Sequence, residues 1–133
     1  MTERRFRRDL SSLQFIFAFV RECFRAGGLD EEAAWDVDLI LEELFTNMLR
    51  YSAGAADVAI AMDWTPPILT LRLRDYGVEP FDVTRAAPFD VDLPLEARRA
   101  GGMGLHLVRC MSDRLDYEHA GGTSTITVIK RLA

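Results

Sequence analysis

Cysteine and histidine are scarce in this sequence, which has two of each among its 133 residues. Cys23 and Cys110 lie far apart and have no paired-ligand spacing, so neither a disulfide framework nor a zinc site is indicated. His106 and His119 accompany no serine or cysteine nucleophile motif, and two histidines alone are poor evidence for a metal site. We assign neither histidine a functional role.

A net positive charge and long hydrophobic runs are also lacking. The net charge is −5, which argues against nucleic-acid binding driven by charge. The segment RRFRR, residues 4–8, is a local exception that we interpret as a solvated terminus or an edge strand. The most apolar run, residues 15–20, is far shorter than the ~20 residues that span a membrane, and the N-terminus lacks the pattern of a secretory signal. We expect a cytoplasmic protein with no membrane partner and no direct nucleic-acid partner.

The overall composition is that of an ordinary globular protein. Apolar residues make up 49% and charged residues 28% of the chain, which predicts one domain over residues 1–133 with a hydrophobic core. Helical spacing predicts a first helix over residues 9–28, with Ser11 or Ser12 as its N-cap. Phe15 and Phe19 add apolar surface outside its main stripe, and that surface could cover either the core or a partner.

A second helix and two pairs of strands follow. The helix is predicted from Asp30, its N-cap, to Gly54, and its apolar face comprises Val37, Leu41, Leu44 and Met48. Strands are predicted at residues 57–64 and 68–76, and a hairpin near the end of the chain. With a short third helix before that hairpin, the order predicts an α+β two-layer sandwich. Its helices would cover one face of a mixed, mostly antiparallel sheet.

Two side chains that suit phosphate chemistry share one stripe of the second predicted helix. Glu43 and Asn47 are four residues apart, about one helical turn, so their side chains are neighbours. A carboxamide oxygen is a hard ligand that can hold Mg²⁺, and a carboxylate can accept a proton from an attacking hydroxyl or water. Taken alone, the pair could also be a solvated face of the helix.

The strand over residues 68–76 ends in an aspartate that is followed by a glycine turn. Asp75 could accept a hydrogen bond from an exocyclic amine such as that of adenine. Gly77 lets the backbone turn tightly beneath a planar ring. The alternative is an ordinary Asp-Tyr-Gly turn.

A glycine cluster opens the third predicted helix and comprises Gly101, Gly102, Met103 and Gly104. Backbone N–H groups at a helix start, aligned with the helix dipole, form an anion site. A flexible hinge is the alternative, and the run lacks the spacing of a dinucleotide fingerprint. The irregular residues 77–101 before it have a length that is typical of a functional loop such as a lid.

Taken together and in this order, these elements resemble the ATP-binding fold of the GHKL (Bergerat) superfamily. The segment EELFTN is similar to its N-box, RDYGVEPFD to its first glycine box and GGMGLHLVR to its second. The short length and the PFD segment resemble, within that superfamily, the bacterial anti-sigma-factor serine/threonine-protein kinases. The resemblance covers residues 10–131.

The resemblance implies ATP and Mg²⁺ as cofactors and a role for each matching residue. Glu43 would be the general base, Asn47 a Mg²⁺ ligand, Asp75 the reader of the adenine amine, and Gly77 part of the pocket floor. The cluster of Gly101, Gly102, Met103 and Gly104 would contact or admit the phosphates, and residues 79–101 would form the ATP lid. One of Thr123, Ser124 and Thr125 would lie near adenine, in a register that the sequence leaves open.

Two positions depart from the superfamily pattern. Glu79 stands where a glycine commonly ends the first glycine box, as it also does in some anti-sigma-type members. Tyr51 stands where the N-box commonly has a histidine. The Glu79 departure concerns the subgroup to which the chain is assigned. The Tyr51 departure concerns the residues that support the phosphate site locally.

The resemblance also implies partners. Members of the subgroup hold a sigma factor inactive, bind and phosphorylate a small STAS-type antagonist (anti-anti-sigma) protein on a serine, and are usually homodimers. The alternative is an ATP-binding switch with little or no kinase activity that acts on another signalling partner. A histidine-kinase catalytic module is a third interpretation. Residues 1–9 count against it, because they leave no room for a phospho-accepting helical hairpin.

Overall fold

The computed structural model describes residues 1–82 and 102–132, which contain a five-stranded sheet. The strands are β1 (Thr2–Phe6), β2 (Val58–Thr65), β3 (Ile68–Tyr76), β4 (Arg114–Ala120) and β5 (Thr123–Arg131). They lie in the order β1-β2-β3-β5-β4, and every pairing between these described strands is antiparallel. The β4–β5 hairpin turns at Gly121 and Gly122, whose positive φ angles of 59° and 75° suit a two-residue hairpin loop.

The described residues also contain three α-helices: α1 (Leu13–Gly27), α2 (Ala34–Tyr51) and α3 (Gly102–Met111). Asp30 caps the turn that leads into α2 by accepting from the Glu32 N–H at 3.0 Å, as predicted. The helix ends at Tyr51 rather than near Gly54, because Ser52 adopts an extended backbone. The predicted α+β class, with helices packed on a mostly antiparallel sheet, is confirmed.

The predicted serine cap of α1 is wrong. Ser12 has helical backbone angles and makes no capping hydrogen bond, and its hydroxyl donates instead to the Arg7 carbonyl at 2.7 Å. Asp9 has an extended backbone, so its carboxylate can accept from the Ser11 N–H at 3.1 Å and start a short 3-10 turn before α1. The carboxylate therefore serves as the cap in place of the serine.

The core lies between the sheet and the helices. The predicted apolar face of α2 is buried, as are Leu69, Leu71 and Leu73 of β3. Phe19 is fully buried whereas Phe15 is 60% exposed, so the extra apolar surface of α1 is divided between core and solvent. No helix in the described part of the chain is long and apolar enough to cross a membrane.

Strand register places the candidate site at one end of this core. The alternation of β3 continues beyond Leu73 to Asp75, which therefore faces the same side as the leucines. Ser124 of β5 pairs with Asp75 in the register. Residues 83–101 lie outside the described residues. They include most of the expected lid and Gly101.

Candidate functional site

Glu43 of α2 and Gly104 of α3 lie in direct contact. A Cβ atom built on Gly104 would overlap the Glu43 carboxylate, so only a glycine admits that carboxylate in its present place. Gly104 is buried and Glu43 is half-buried. The first predicted motif and the third therefore meet, although Glu43 and Gly104 are about 60 residues apart in the sequence.

The Glu43 carboxyl group lies in surroundings that disfavour its charge. Burial raises the pKa of Glu43 above its ordinary value of 4.5, the neighbouring Glu42 raises it further, and Arg50 opposes both. A base is most useful when its pKa lies close to the working pH. Burial thus shifts the pKa of Glu43 in the direction that general-base chemistry requires.

Asn47 is buried without a full set of hydrogen-bond partners. It is 2% exposed, and its side-chain Nδ2 has no partner in the described structure. A buried amide in this state is rare in proteins, because the lost hydration is not replaced. Asn47 lies one helical turn from Glu43, so the unsatisfied amide and the shifted carboxyl group belong to one site.

Asp75 is held by two other side chains at the end of β3. It is 2% exposed, its Oδ1 accepts from Arg8 Nη1 at 2.5 Å, and its Oδ2 accepts from the Ser52 hydroxyl at 2.7 Å. Ser52 directly follows α2, so this helix supplies groups both to the Glu43 end and to the Asp75 end. Nine residues at the helical rise separate Glu43 from Ser52 by about 14 Å.

Arg8 corrects our interpretation of the basic N-terminal segment. The segment does begin as an edge strand, β1, but Arg8 is turned inward rather than solvated. Its Nη2 also donates to the main-chain carbonyls of Met48 at 3.2 Å and Ser52 at 3.3 Å. Runs of arginine are usually solvated, and nothing local in the sequence indicates that one of them reaches a carboxylate 67 residues away.

A narrow pocket opens beside Asp75. Its lining combines apolar side chains with a few polar groups: Met48, Ser52, Asp75, Glu79, Phe81, Tyr117, Ser124 and Ile126. Ser124 alternates with half-buried Thr123 and Thr125, which point to the opposite face of the sheet. Of the three candidates, the structure therefore places Ser124 at the pocket.

Tyr117 closes this pocket from β4. Its hydroxyl lies 3.1 Å from the Ser124 hydroxyl and accepts from the Phe81 N–H at 3.0 Å. The Phe81 ring stacks on Tyr51 with 5.7 Å between ring centroids. The two departures from the superfamily pattern, Tyr51 and Glu79, thus lie at or beside the pocket.

The glycine turn after Asp75 has the backbone that the sequence predicts. Gly77 has a φ of +66°, a conformation that glycine adopts without strain. The turn is fixed by His119 Nε2, which donates to the Val78 carbonyl at 2.8 Å. Gly77 does not line the pocket beside Asp75, so its expected place in the pocket floor remains a prediction.

The glycine cluster is described only in part. Gly102 is the first residue of α3, which is where the predicted anion site requires a helix to begin. Gly101 and the side chain of Met103 lie outside the described residues. The expected roles of Gly101, Gly102 and Met103 toward phosphate remain predictions.

Gly104→Ala tests the close contact with Glu43. In an ordinary helix this change stabilises by about 1 kcal/mol, but here the new methyl group must displace the carboxylate end of the flexible Glu43 side chain, and we expect that gain to be lost. Chemical denaturation of the single and double variants measures the effect as a double-mutant cycle. In a Glu43→Ala background the same change should stabilise by about 1 kcal/mol. Equal effects in the two backgrounds would contradict the contact.

Comparison with known proteins identifies the family to which this chain belongs. A family model described as "Histidine kinase-like ATPase domain" matches residues 6–130. That range contains Glu43, Asn47, Asp75 and the whole glycine cluster. The chain belongs to the histidine kinase-like ATPase domain family, and the predicted resemblance to the GHKL superfamily is confirmed.

Relatives and solved structures extend the comparison. The chain is 25% identical over 97 residues to the serine-protein kinase RsbW of Bacillus cereus, and equally to that of Bacillus anthracis. The match covers 68% of this chain but only 60% of those relatives. A similar solved structure is that of the RsbU and RsbW domains of Rv1364c from Mycobacterium tuberculosis, with a TM-score of 0.68 and 15% sequence identity. The match covers 98% of this chain and 31% of that chain. The histidine kinase AdeS of Acinetobacter baumannii has a TM-score of 0.56 and 16% identity over 99% of this chain and 68% of that one. These structures share the fold.

Proposed function

We propose that this protein binds ATP with Mg²⁺ and transfers the terminal phosphoryl group to a serine of an antagonist protein, and that it also holds a sigma factor inactive. The observation that carries the proposal is the half-buried Glu43, with its raised pKa, against Gly104 and one turn from the unsatisfied Asn47 amide. The family match supports ATP as the nucleotide. The name of the RsbW relatives supports a serine as the acceptor.

The nucleotide would lie along α2. Its adenine would enter the pocket beside Asp75, which is narrow in this structure and would have to widen around the ring. The Asp75 carboxylate would accept from the 6-amino group, and Met48 and Ile126 would contact the ring. Its phosphates would lie at the start of α3, where backbone N–H groups and the helix dipole favour negative charge. The length of α2 between the two ends is one that a nucleoside triphosphate can span.

The residues at the phosphate end fit a magnesium ion. The Asn47 side chain offers two different groups there: its amide oxygen is a ligand that Mg²⁺ accepts, and its Nδ2, which has no partner in the described structure, is a donor that suits a phosphate oxygen. A bound Mg²⁺ would neutralise charge that develops on the phosphates during transfer. Asn47 would hold the ion, and substrate phosphates and water would complete its coordination.

Glu43 would act on the acceptor. Its carboxylate accepts the proton of the serine hydroxyl as the serine oxygen forms a bond to the terminal phosphorus. The bond from that phosphorus to the bridging oxygen breaks, and ADP leaves with the electron pair. Gly104 leaves the space in which the carboxylate lies, so the base is positioned before the acceptor arrives.

An ATP-dependent switch with little or no kinase activity is the second candidate. Tyr51, at the position where the N-box commonly has a histidine, stacks on Phe81 at the mouth of the pocket. That stack joins the end of α2 to the segment after the Asp75 turn. Nucleotide could change the arrangement of this segment, and hence the binding of a partner, without phosphotransfer.

The proposal includes partners and location. A sigma factor and a STAS-type antagonist are the proposed protein partners, and a homodimer is the proposed assembly. Phe15 and Trp35 expose large apolar side chains on α1 and α2, which is compatible with contacts to another protein. Since transcription factors of this kind act in the cytoplasm, the proposal also places the chain there.

Labelled phosphate transfer tests the proposed kinase. The purified protein is incubated with Mg²⁺, ATP labelled at the terminal phosphate, and a STAS-type antagonist domain. We expect label on one serine of the antagonist, and none when that serine is replaced by alanine. ATP binding without transfer would favour the switch, and an absence of ATP binding would contradict both candidates.

A further inference from the structure

The Arg8 side chain joins three parts of the fold behind the adenine pocket. It extends from the segment between β1 and α1 and donates to the Asp75 carboxylate and to the main-chain carbonyls of Met48 and Ser52. The Arg8 side chain is 11% exposed and that of Asp75 is 3% exposed, so the ion pair is shielded from solvent. Arg8 does not line the pocket, whereas Asp75 does.

The network fixes the direction of the Asp75 carboxylate. Arg8 donates to one oxygen and Ser52 to the other, which leaves each oxygen able to accept one more hydrogen bond. The backbone closes tightly over the pair: a Cβ atom on Gly54 would come within 3.0 Å of Asp75 Oδ1 and 3.1 Å of Arg8 Nη1. The carboxylate therefore has little room to rotate.

We infer that Arg8 is a positioning residue that makes the pocket select a 6-amino purine over a 6-oxo purine, acting through Asp75. The inference rests on the proposed function, because it requires that Asp75 faces the purine 6-position. An ionised carboxylate only accepts hydrogen bonds, so it pairs with an amine and leaves a 6-oxo group without a donor. A site built for one hydrogen-bonding group rejects the analogue that lacks it, because its own polar groups are then unpaired.

Loss of the Arg8 side chain would relax this selection. Without it the Asp75 carboxylate keeps only the side-chain hydrogen bond from Ser52, and it can rotate into the space that the guanidinium leaves. A rotated carboxylate can turn away from a 6-oxo group, which lowers their repulsion, and it is no longer aligned with a 6-amino group. A 6-oxo purine would then bind with a smaller penalty, while a 6-amino purine would lose part of its advantage.

The ratio of affinities for ITP and ATP tests the inference. ITP carries an oxo group at the 6-position of the purine where ATP carries an amine. A smaller folded fraction weakens the binding of both nucleotides by the same factor, so the ratio of their dissociation constants responds to the pocket and not to stability. Calorimetric titration with Mg-ATP and with Mg-ITP gives both constants for each variant.

Arg8→Ala should lower the ratio of the ITP to the ATP dissociation constant by at least about tenfold. Arg8→Lys keeps the charge but not the planar fork that reaches the carboxylate and both carbonyls, so we expect a smaller fall of about threefold or more. Arg7→Ala is the matched control, since the Arg7 side chain is exposed and lies outside the network. Its ratio should equal that of the wild type.

An unchanged ratio in a folded Arg8→Ala protein would overturn the inference. If that variant does not fold, Arg8→Lys decides: a fall of about threefold or more supports the inference and a smaller change overturns it. A wild-type protein that binds neither nucleotide would instead contradict the proposed function. The two failures are therefore distinguishable.

Discussion

Glu43→Gln is expected to lower the rate of phosphotransfer by about 10²–10⁴-fold while the affinity for Mg-ATP changes little. The glutamine amide has nearly the same shape as the carboxyl group, but it cannot accept the proton of the serine hydroxyl. The contact with Gly104 is kept, so the pocket retains its form. Single-turnover phosphotransfer and calorimetric titration with Mg-ATP measure the two effects separately.

Glu42→Gln is the matched control for this prediction. Glu42 lies one residue earlier on α2 and faces the groove between α1 and α2 rather than Gly104. At a pH well above the pKa of Glu43 this change should leave the rate nearly unchanged, because the Glu42 charge acts on Glu43 only by raising that pKa. In the wild type the rate should fall as the pH is lowered through the pKa of Glu43, because only the ionised form accepts a proton. Since burial raises this pKa, the fall should occur at a higher pH than the pKa of an ordinary glutamate. A fully active Glu43→Gln protein would contradict the role of a base.

Asn47→Ala is expected to weaken the binding of Mg-ATP by at least about tenfold. The change deletes the proposed ligand of the ion but breaks no hydrogen bond of Nδ2, which has none in the described structure. ATP affinity measured in the presence of EDTA should be similar in the variant and the wild type. Titrations with and without Mg²⁺ isolate the metal-dependent part of the binding free energy.

Thr46→Ala is the control for the asparagine variant, because Thr46 is the preceding half-buried residue on the same helix. It should keep the full effect of Mg²⁺ on ATP affinity. If Asn47→Ala also keeps that effect, Asn47 does not hold the ion. The proposed Mg²⁺ site would then have no ligand from this protein.

The sequence predicts the elements of this fold well, because local periodicity determines them. The alternation of Leu69, Leu71 and Leu73 predicts a strand with one buried face, and β3 has that pattern. The apolar positions of α2 recur at helical spacing, and all four predicted members are buried. The cap of α1 is less predictable, since Asp9 and Ser12 are both good capping residues and only the backbone angles choose between them.

The candidate site is predictable where its residues are neighbours in sequence. Glu43 and Asn47 are one turn apart on a single helix, so their proximity follows from the helix itself. The contact between Glu43 and Gly104 depends on how α2 packs on α3, and only the resemblance to a known family could suggest it. The place of Ser124 depends on strand register, which composition does not determine.

The support behind Asp75 could not be predicted. Arg8 and Asp75 come from opposite sides of α1 and α2 in the sequence and meet only because β1 pairs with β2 and β2 with β3. No local sequence feature distinguishes one arginine of an arginine-rich segment from its solvated neighbours. Its role follows from tertiary structure alone.

A crystal structure of the protein with Mg²⁺ and a non-hydrolysable ATP analogue tests the central claim most directly. We predict the adenine amine within hydrogen-bonding distance of the Asp75 carboxylate, Mg²⁺ on the Asn47 side chain, and the terminal phosphate between Glu43 and the start of α3. A nucleotide bound elsewhere on the protein, or bound with its adenine away from Asp75 and its metal away from Asn47, would contradict the account.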